Sequence, residues 1–292
     1  MSTMMKIAIA SGKGGTGKTT IATGLAAALG ASGHDVLYLD CDVEEPNGDL
    51  FLRPNITQVV DVELPFPKID LDRCTFCGEC AKLCEFRALA VLEDNVLLFP
   101  ELCHSCGACH HLCPEKAISE ELRKIGEISI GSGSKVKFAG GRLSIGVARA
   151  PAVTEALRLK APEAAVTFLD APPGTSCGAV AVVKDCDFVL LVTEPTPFGL
   201  NDLKLTVEML RQLELPCAVI LNRADVGDEQ VEKYCRDENL EILLRIPEDR
   251  SIAEAYSEGE LLLLERPEYA AALVELYEQV LKRVGDARAC HT

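Results

Sequence analysis

The chain has 292 residues, a hydrophobic fraction of 48% and a formal net charge of −16, enough for one large α/β domain plus a small module. The acidic balance disfavours nonspecific nucleic-acid binding, because no basic excess exists to displace counterions from phosphates. No run approaches the roughly 18 apolar residues that a membrane span needs, so neither nucleic acid nor membrane is an expected partner. Its 14 Cys follow an N-terminal apolar run too short for a signal peptide, which points to metal rather than disulfides and to the cytoplasm.

Met5 to Ala10 reads as a short buried strand. It runs into Gly12-Lys13-Gly14-Gly15-Thr16-Gly17-Lys18-Thr19, with Thr20 next, a G-x-x-x-x-G-K-S/T loop. From Thr19 to Leu29 the apolar residues Ile21, Leu25, Ala28 and Leu29 recur at helical spacing, and Gly30 and Gly33 end the run. Strand, glycine loop and helix together predict a nucleoside triphosphate site. The glycines let backbone N–H groups turn in on phosphates, where the helix N-terminus adds its positive end. Lys18 would reach the β/γ-phosphates, and the Thr19 hydroxyl would ligate Mg²⁺. Val36 to Leu39 is a second buried strand, ending in Asp40-Cys41-Asp42. Carboxylates at that end of a strand sit where α/β sheets place ligands. Pro54 to Pro67 reads as a connector.

The next segment carries Cys74-x2-Cys77-x2-Cys80-x3-Cys84 and then Cys103-x2-Cys106-x2-Cys109-x3-Cys113-Pro114. The halves repeat at an offset of 29, Gly78 matching Gly107 and Ala88 matching Ala117. This is the bacterial pattern for two 4Fe–4S clusters, in which three close thiolates and one remote thiolate serve each cluster. Cluster one would take Cys74, Cys77, Cys80 and Cys113; cluster two would take Cys103, Cys106, Cys109 and Cys84. Glu85 stands where the pattern has Pro, leaving the ligands untouched. Structural zinc is the competing reading, but zinc sites pair two C-x2-C knuckles across a longer loop. His104, His110 and His111 are read as surface residues or neighbours of the ligands.

Glu120 to Gly146 alternates apolar and polar residues between glycines, predicting hairpin strands. A short helix over Pro151 to Lys160 follows. Val166 to Asp170 then reads as a Walker B strand, followed by Ala171-Pro172-Pro173-Gly174-Thr175-Ser176-Cys177. Asp170 would hold Mg²⁺ through water, and Gly174 would offer its N–H to the γ-phosphate. Phe188 to Thr193 is another buried strand, followed by Glu194-Pro195-Thr196-Pro197-Phe198-Gly199-Leu200 and a helix with Leu203, Val207, Leu210 and Leu213 on one face. Cys217 to Leu221 is a strand ending in Asn222-Arg223-Ala224-Asp225, which looks like the guanine-reading N-K-x-D motif with Arg for Lys. Glu241 to Ile246 is the last strand, with Ile246-Pro247 expected near the base. Pro267 to Val284 is a helix with Leu273, Leu276, Val280 and Val284 on one face. Cys41, Cys177, Cys186, Cys217, Cys235 and Cys290 have no ligand spacing and read as packing.

Taken together, these motifs resemble the MinD/ParA/Mrp superfamily of P-loop ATPases, in the group that carries an inserted two-cluster ferredoxin domain. Lys13 makes the loop similar to the deviant Walker A of those families and of the nitrogenase iron protein. The resemblance implies that Lys13 crosses a dimer to the partner's phosphates, that Asp42 positions the attacking water, and that Asp40 lies nearer the Mg²⁺ shell. It also implies that Asn222, beside Arg223, reads the base, which favours ATP over GTP. The implied fold is α/β, a mostly parallel sheet flanked by helices. Its ATPase parts would be 1–64 and 120–292, with an α+β ferredoxin insert at 65–119. The implied activity is Mg-dependent ATP hydrolysis coupled to electron transfer through two 4Fe–4S clusters. The alternative is an ATP-dependent iron–sulfur cluster scaffold or carrier in metallocofactor assembly. The expected partners are a second copy or a similar ATPase, and a redox protein or metallocofactor target.

Overall fold

The structure, a computed structural model, describes residues 4–133, 135–261 and 266–289. The chain forms two compact units. The first holds residues up to Val59, Ile128–Arg142 and the residues from Ala150 on; the second holds Val60–Glu127 and Leu143–Arg149.

In the first unit, β1 (Met5–Ala10) leads into α1 (Lys18–Ala31), then β2 (Val36–Asp40) and the short α2 (Gly48–Leu52). β3 (Asn55–Ile69) leaves this unit and β6 (Ile118–Gly133) returns to it, followed by β7 (Val136–Leu143) and α5 (Ala150–Lys160). The chain continues through β8 (Val166–Asp170), α6 (Cys177–Val183), β9 (Phe188–Thr193) and α7 (Pro197–Gln212). It then runs through β10 (Cys217–Asn222), α8 (Gln230–Asp237), β11 (Ile242–Ile246), α9 (Arg250–Glu258) and α10 (Pro267–Ala289). Among the described residues the strands form one sheet ordered β11-β10-β9-β1-β8-β2-β7-β6-β3. From β11 to β7 every neighbouring pair runs parallel.

Parallel strands are covered on both faces and so read as continuous apolar runs. β2, β8 and β9 do so, and they are buried almost throughout. α1 is buried on nearly every side, and α10 buries Leu273, Leu276, Val280 and Val284, the face expected from the sequence. Register then does the positioning. Ile9 of β1 and Asp40 of β2 both stand opposite Asp170 of β8. The glycine loop, Asp40, Asp170, Glu194 and Asn222 therefore follow or end parallel strands at one edge, the carboxyl edge where open α/β sheets bind ligands.

Pro54 to Pro67 differs from its expected role as a connector, because most of it belongs to the 15-residue strand β3. Prolines lack the N–H that a central strand must donate, so Pro65 and Pro67 make the segment look broken. β3 is last in the sheet order, and an edge strand has one side that owes no N–H to a neighbour, which is where prolines are tolerated.

The second unit contains α3 (Glu79–Leu83), β4 (Leu89–Val91), β5 (Val96–Leu98) and α4 (Ala108–His111) between the far ends of β3 and β6. β4 and β5 pair antiparallel, Leu89 opposite Leu98. This unit takes in more chain than the 65–119 segment around the cysteines. Cys290, read from the sequence as packing, lies outside the described residues.

Candidate functional site

A cavity of about 380 Å³ opens at the carboxyl edge of the first unit's sheet, within the size range of ligand pockets. Gly14, Gly15, Gly17, Lys18, Thr19, Thr20, Asp42, Asn222 and Arg223 all line it, so nine sequence-predicted residues share one space. Gly12, Lys13, Thr16, Asp170 and Gly174 are not in its wall. Asn47, Pro247, Glu248, Asp249, Ile252 and Tyr256 also line it. Of these, sequence reasoning singled out only Pro247.

The loop needs its glycines at two places in particular. Gly17 has φ 91°, a left-handed backbone that residues with a Cβ rarely adopt, and a Cβ there would lie 2.5 Å from the Asn222 amide nitrogen. At Gly12 a Cβ would lie 2.5 Å from the Asp202 carbonyl oxygen on α7. The Thr16 hydroxyl is buried with no hydrogen-bond partner. An orphaned hydroxyl is rare inside proteins, and within this loop it suits an anionic oxygen.

Lys18 Nζ donates to Asp170 Oδ1 at 2.6 Å, with the Asp170 side chain fully buried. The other carboxylate oxygen accepts the Tyr38 hydroxyl at 2.8 Å. Asp40 stands beside this pair, and its Oδ2 accepts the Gly48 N–H at 2.8 Å and the Asn47 N–H at 3.2 Å. Burial works against the Lys18 charge. The hydrogen-bonded Asp170, then Asp42 and Asp40, outweigh it and hold the lysine above its ordinary pKa. Burial, then the charge of Asp170, pushes Asp40 up to about 8, against the Gly48 N–H and Lys18. Burial raises Asp42 as well, with Lys18 pulling the other way. Burial also lifts the Tyr38 hydroxyl far above the usual range, so it acts only as a donor. Sequence reasoning missed Tyr38; the available signal was a phenol in a wholly apolar strand, since a buried Tyr O–H needs a partner.

Four side chains or backbone groups are committed otherwise than expected. Lys13 Nζ lies 2.5 Å from Glu194 Oε1 of its own chain. The Gly174 N–H donates to the Ser11 carbonyl at 2.8 Å, so a role toward a γ-phosphate requires that bond to open. Asn222 Nδ2 donates to the Thr16 carbonyl at 2.8 Å, tying β10 to the glycine loop. Arg223 bridges Glu194 at 3.1 Å and Glu248 at 3.0 Å. Asp225 Oδ1 accepts the Glu248 N–H at 2.6 Å. Arg223 and Asp225 are thus both engaged within the protein, which weighs against guanine readout.

In the second unit, two cavities divide the cysteines. One, of about 20 Å³, is lined by Cys74, Cys77, Cys80 and Cys113. The other, of about 270 Å³, is lined by Cys84, Cys103, Cys106 and Cys109, with Cys80 also in its wall. All thirteen described cysteines are free thiols. Among the described residues, no group of three or more His, Cys, Asp or Glu is close enough to hold a single metal ion; the thiols line walls instead. Ala88 N–H donates to Cys84 Sγ and Ala117 N–H to Cys113 Sγ, both at 3.3 Å. Burial, then neighbouring thiols, raises Cys80 and pushes Cys109 up to about 11. Thiols that crowd one another in this way suit a cation-rich group that would take them as thiolates. His110 Nδ1 lies 2.6 Å from the Ile118 carbonyl, and the His104 ring stacks on Phe86; both act in packing.

The sequence pattern of the CobQ/CobB/MinD/ParA nucleotide binding domain matches residues 7–263. An uncharacterised protein of Methanocaldococcus jannaschii is 30% identical over 90% of this chain and 93% of its own length. A protein of Pyrococcus horikoshii named as an iron-sulfur cluster carrier protein is 25% identical over 97% of this chain and 88% of its own. Among solved structures, the septum site-determining protein MinD of P. horikoshii, complexed with Mg-ADP, superposes with a TM-score of 0.59. It is 24% identical and covers 97% of this chain and 98% of that one, a likeness of fold. No described helix is long and apolar enough to cross a membrane.

Proposed function

The chain belongs to the CobQ/CobB/MinD/ParA nucleotide-binding family, and on that premise we propose that it is an ATP-hydrolysing iron–sulfur protein serving as an ATP-dependent scaffold or carrier of iron–sulfur clusters. The observation that carries this reading is the pairing of a P-loop cavity with two sets of four cysteines, each set lining its own cavity. Similarity along almost the whole chain to proteins named as iron-sulfur cluster carriers supports the carrier role.

ATP would enter the P-loop cavity with its phosphates against the N–H groups of the loop from Gly14 to Thr19. Lys18 would turn from Asp170 toward the β/γ-phosphates, and Asp42 would orient the attacking water. Thr19 and Asp170 would hold Mg²⁺, which supplies charge neutralisation at the phosphates when bound. Lys13 would leave Glu194 to reach the phosphates of a partner copy, so dimer formation and release of that ion pair are one event. The base would lie against Asn222, Pro247 and Tyr256, with adenine favoured because Arg223 and Asp225 are already engaged.

Cys74, Cys77, Cys80 and Cys113 would hold one 4Fe–4S cluster, and Cys84, Cys103, Cys106 and Cys109 the other, as a ferredoxin-like insert. Such clusters are the cargo in the carrier reading. A second reading, clusters resident for electron transfer and gated by the nucleotide, is favoured by one feature: each set has its own remote cysteine held by an N–H···S bond.

Anaerobically reconstituted protein, mixed with an apo-ferredoxin, tests the choice. Cluster transfer that changes with Mg-ATP, and is lost from that dependence in Lys18→Ala, supports the carrier. Clusters that stay in place while their potentials shift with nucleotide overturn it in favour of electron transfer.

A further inference from the structure

The two cysteine halves share a backbone but not a chemistry. Phe76 and Ser105, at matching positions, adopt φ 53° and 50°. Gly78 and Gly107 adopt 78° and 71°, and Arg87 and Lys116 adopt 52° and 48°. The N–H···S bonds to Cys84 and Cys113 have the same length. Against this repeated frame one position changes from an aromatic ring to a hydroxyl.

That hydroxyl is not spent elsewhere. Ser105 Oγ is buried and has no hydrogen-bond partner, while Ser105 lines the larger cavity with Cys84, Cys103, Cys106 and Cys109. Its own N–H already donates to Cys103 Sγ at 3.4 Å. Ser105 is also a non-glycine residue in the left-handed region, a conformation with a cost of its own. A buried donor without a partner beside four thiols fits an acceptor that occupies the cavity. Phe76, in the smaller cavity's wall, has no such donor, and the Thr75 beside it, though in that wall, is exposed to solvent.

We propose that the Ser105 hydroxyl donates a hydrogen bond to the sulfur of a cluster held by Cys84, Cys103, Cys106 and Cys109, and so makes the two clusters unequal, this one being reduced at the higher potential. The inference rests on the iron–sulfur reading above. Reduction adds negative charge to the cluster, and a hydrogen bond to its sulfurs favours the reduced form. The site lined by Cys74, Cys77, Cys80 and Cys113 has no buried, unpartnered hydroxyl of this kind and keeps the lower potential.

The test is a dithionite redox titration of the full-length, anaerobically reconstituted protein, preceded by iron and sulfide counts. Wild type should show two separated reduction waves. In Ser105→Ala the higher wave should move down toward the lower one, which stays in place. Ser105→Gly, which relieves the left-handed backbone and also lacks the hydroxyl, should shift the same wave equally, so that strain is not the cause. Phe76→Ser should move the lower wave upward. Two unmoved waves in the Ser105 variants at full iron content overturn the proposal. If the Ser105 variants fail to retain iron, an unmoved lower wave in Phe76→Ser overturns it. Wild type without iron instead removes the underlying iron–sulfur reading, a distinct failure.

Discussion

Replacing Lys18 by alanine exposes how the carboxylates beneath the P-loop are held. The lysine ammonium sits 2.6 Å from Asp170 Oδ1, and both side chains are out of solvent. Removing one partner of a buried pair costs about 3–5 kcal/mol, because the other charge stays buried and unpaired. Tyr38 still donates to Asp170 at 2.8 Å, but it is neutral and cannot replace the charge. The pH dependence carries the sharper information. Asp40 is already raised from 3.8 to about 8 in the folded protein, with Lys18 among the groups pulling it down. Without Lys18, the folded-state pKa of Asp40 rises further. A carboxylate with a raised folded pKa binds its proton more tightly folded than unfolded. The part of the loss that runs through Asp40 is therefore full above the variant's raised value and shrinks as pH falls to about 8, where the wild-type carboxylate also takes up its proton. Urea denaturation of the apoprotein, followed by far-UV circular dichroism at about pH 10 and about pH 6, measures it. A loss of about 3–5 kcal/mol at about pH 10, and a smaller one at about pH 6, is expected. A loss below about 1 kcal/mol, typical of exposed pairs, or one that ignores pH would refute the reasoning.

Glu194 clamps Lys13 and Arg223 together, so Glu194→Gln should raise the rate at which an amine-directed reagent labels Lys13, read by peptide mass spectrometry; an unchanged rate would show that the pair does not hold. Gly12→Ala places a Cβ 2.5 Å from the Asp202 backbone, an overpacking that should cost about 1–3 kcal/mol and lower Tm. Gly14→Ala, where a Cβ meets nothing within 4 Å, should leave Tm nearly unchanged. Cys77→Ser and Cys106→Ser alter one cavity each; after reconstitution each variant should keep about half of the wild-type iron if each cavity takes one four-iron cluster.

Much of the site was legible because its motifs are contiguous. A glycine loop and the helix it opens are set by neighbouring residues, and Gly14, Gly15, Gly17, Lys18, Thr19 and Thr20 share one cavity wall with Asp42 and Asn222. Buried parallel strands announce themselves as apolar runs, which is why β1, β8 and β9 fall close to their expected bounds. β3 was illegible for the converse reason: its prolines are tolerated only at a sheet edge, and edge position is a property of strand order.

From sequence alone came the side chains available for phosphate and for metal, and the 29-residue repeat of the cysteines, since spacing along the chain encodes both. The tertiary structure decided what each of these groups touches. Lys18 finds Asp170 across 152 positions, Tyr38 finds the same carboxylate across 132, and Asn222 reaches Thr16 across 206. Lys13 and Arg223 converge on Glu194, and Ser105 keeps a buried hydroxyl that its counterpart Phe76 lacks. Such pairings depend on strand order and register, which arise only when distant apolar surfaces pack together, and no local spacing records them.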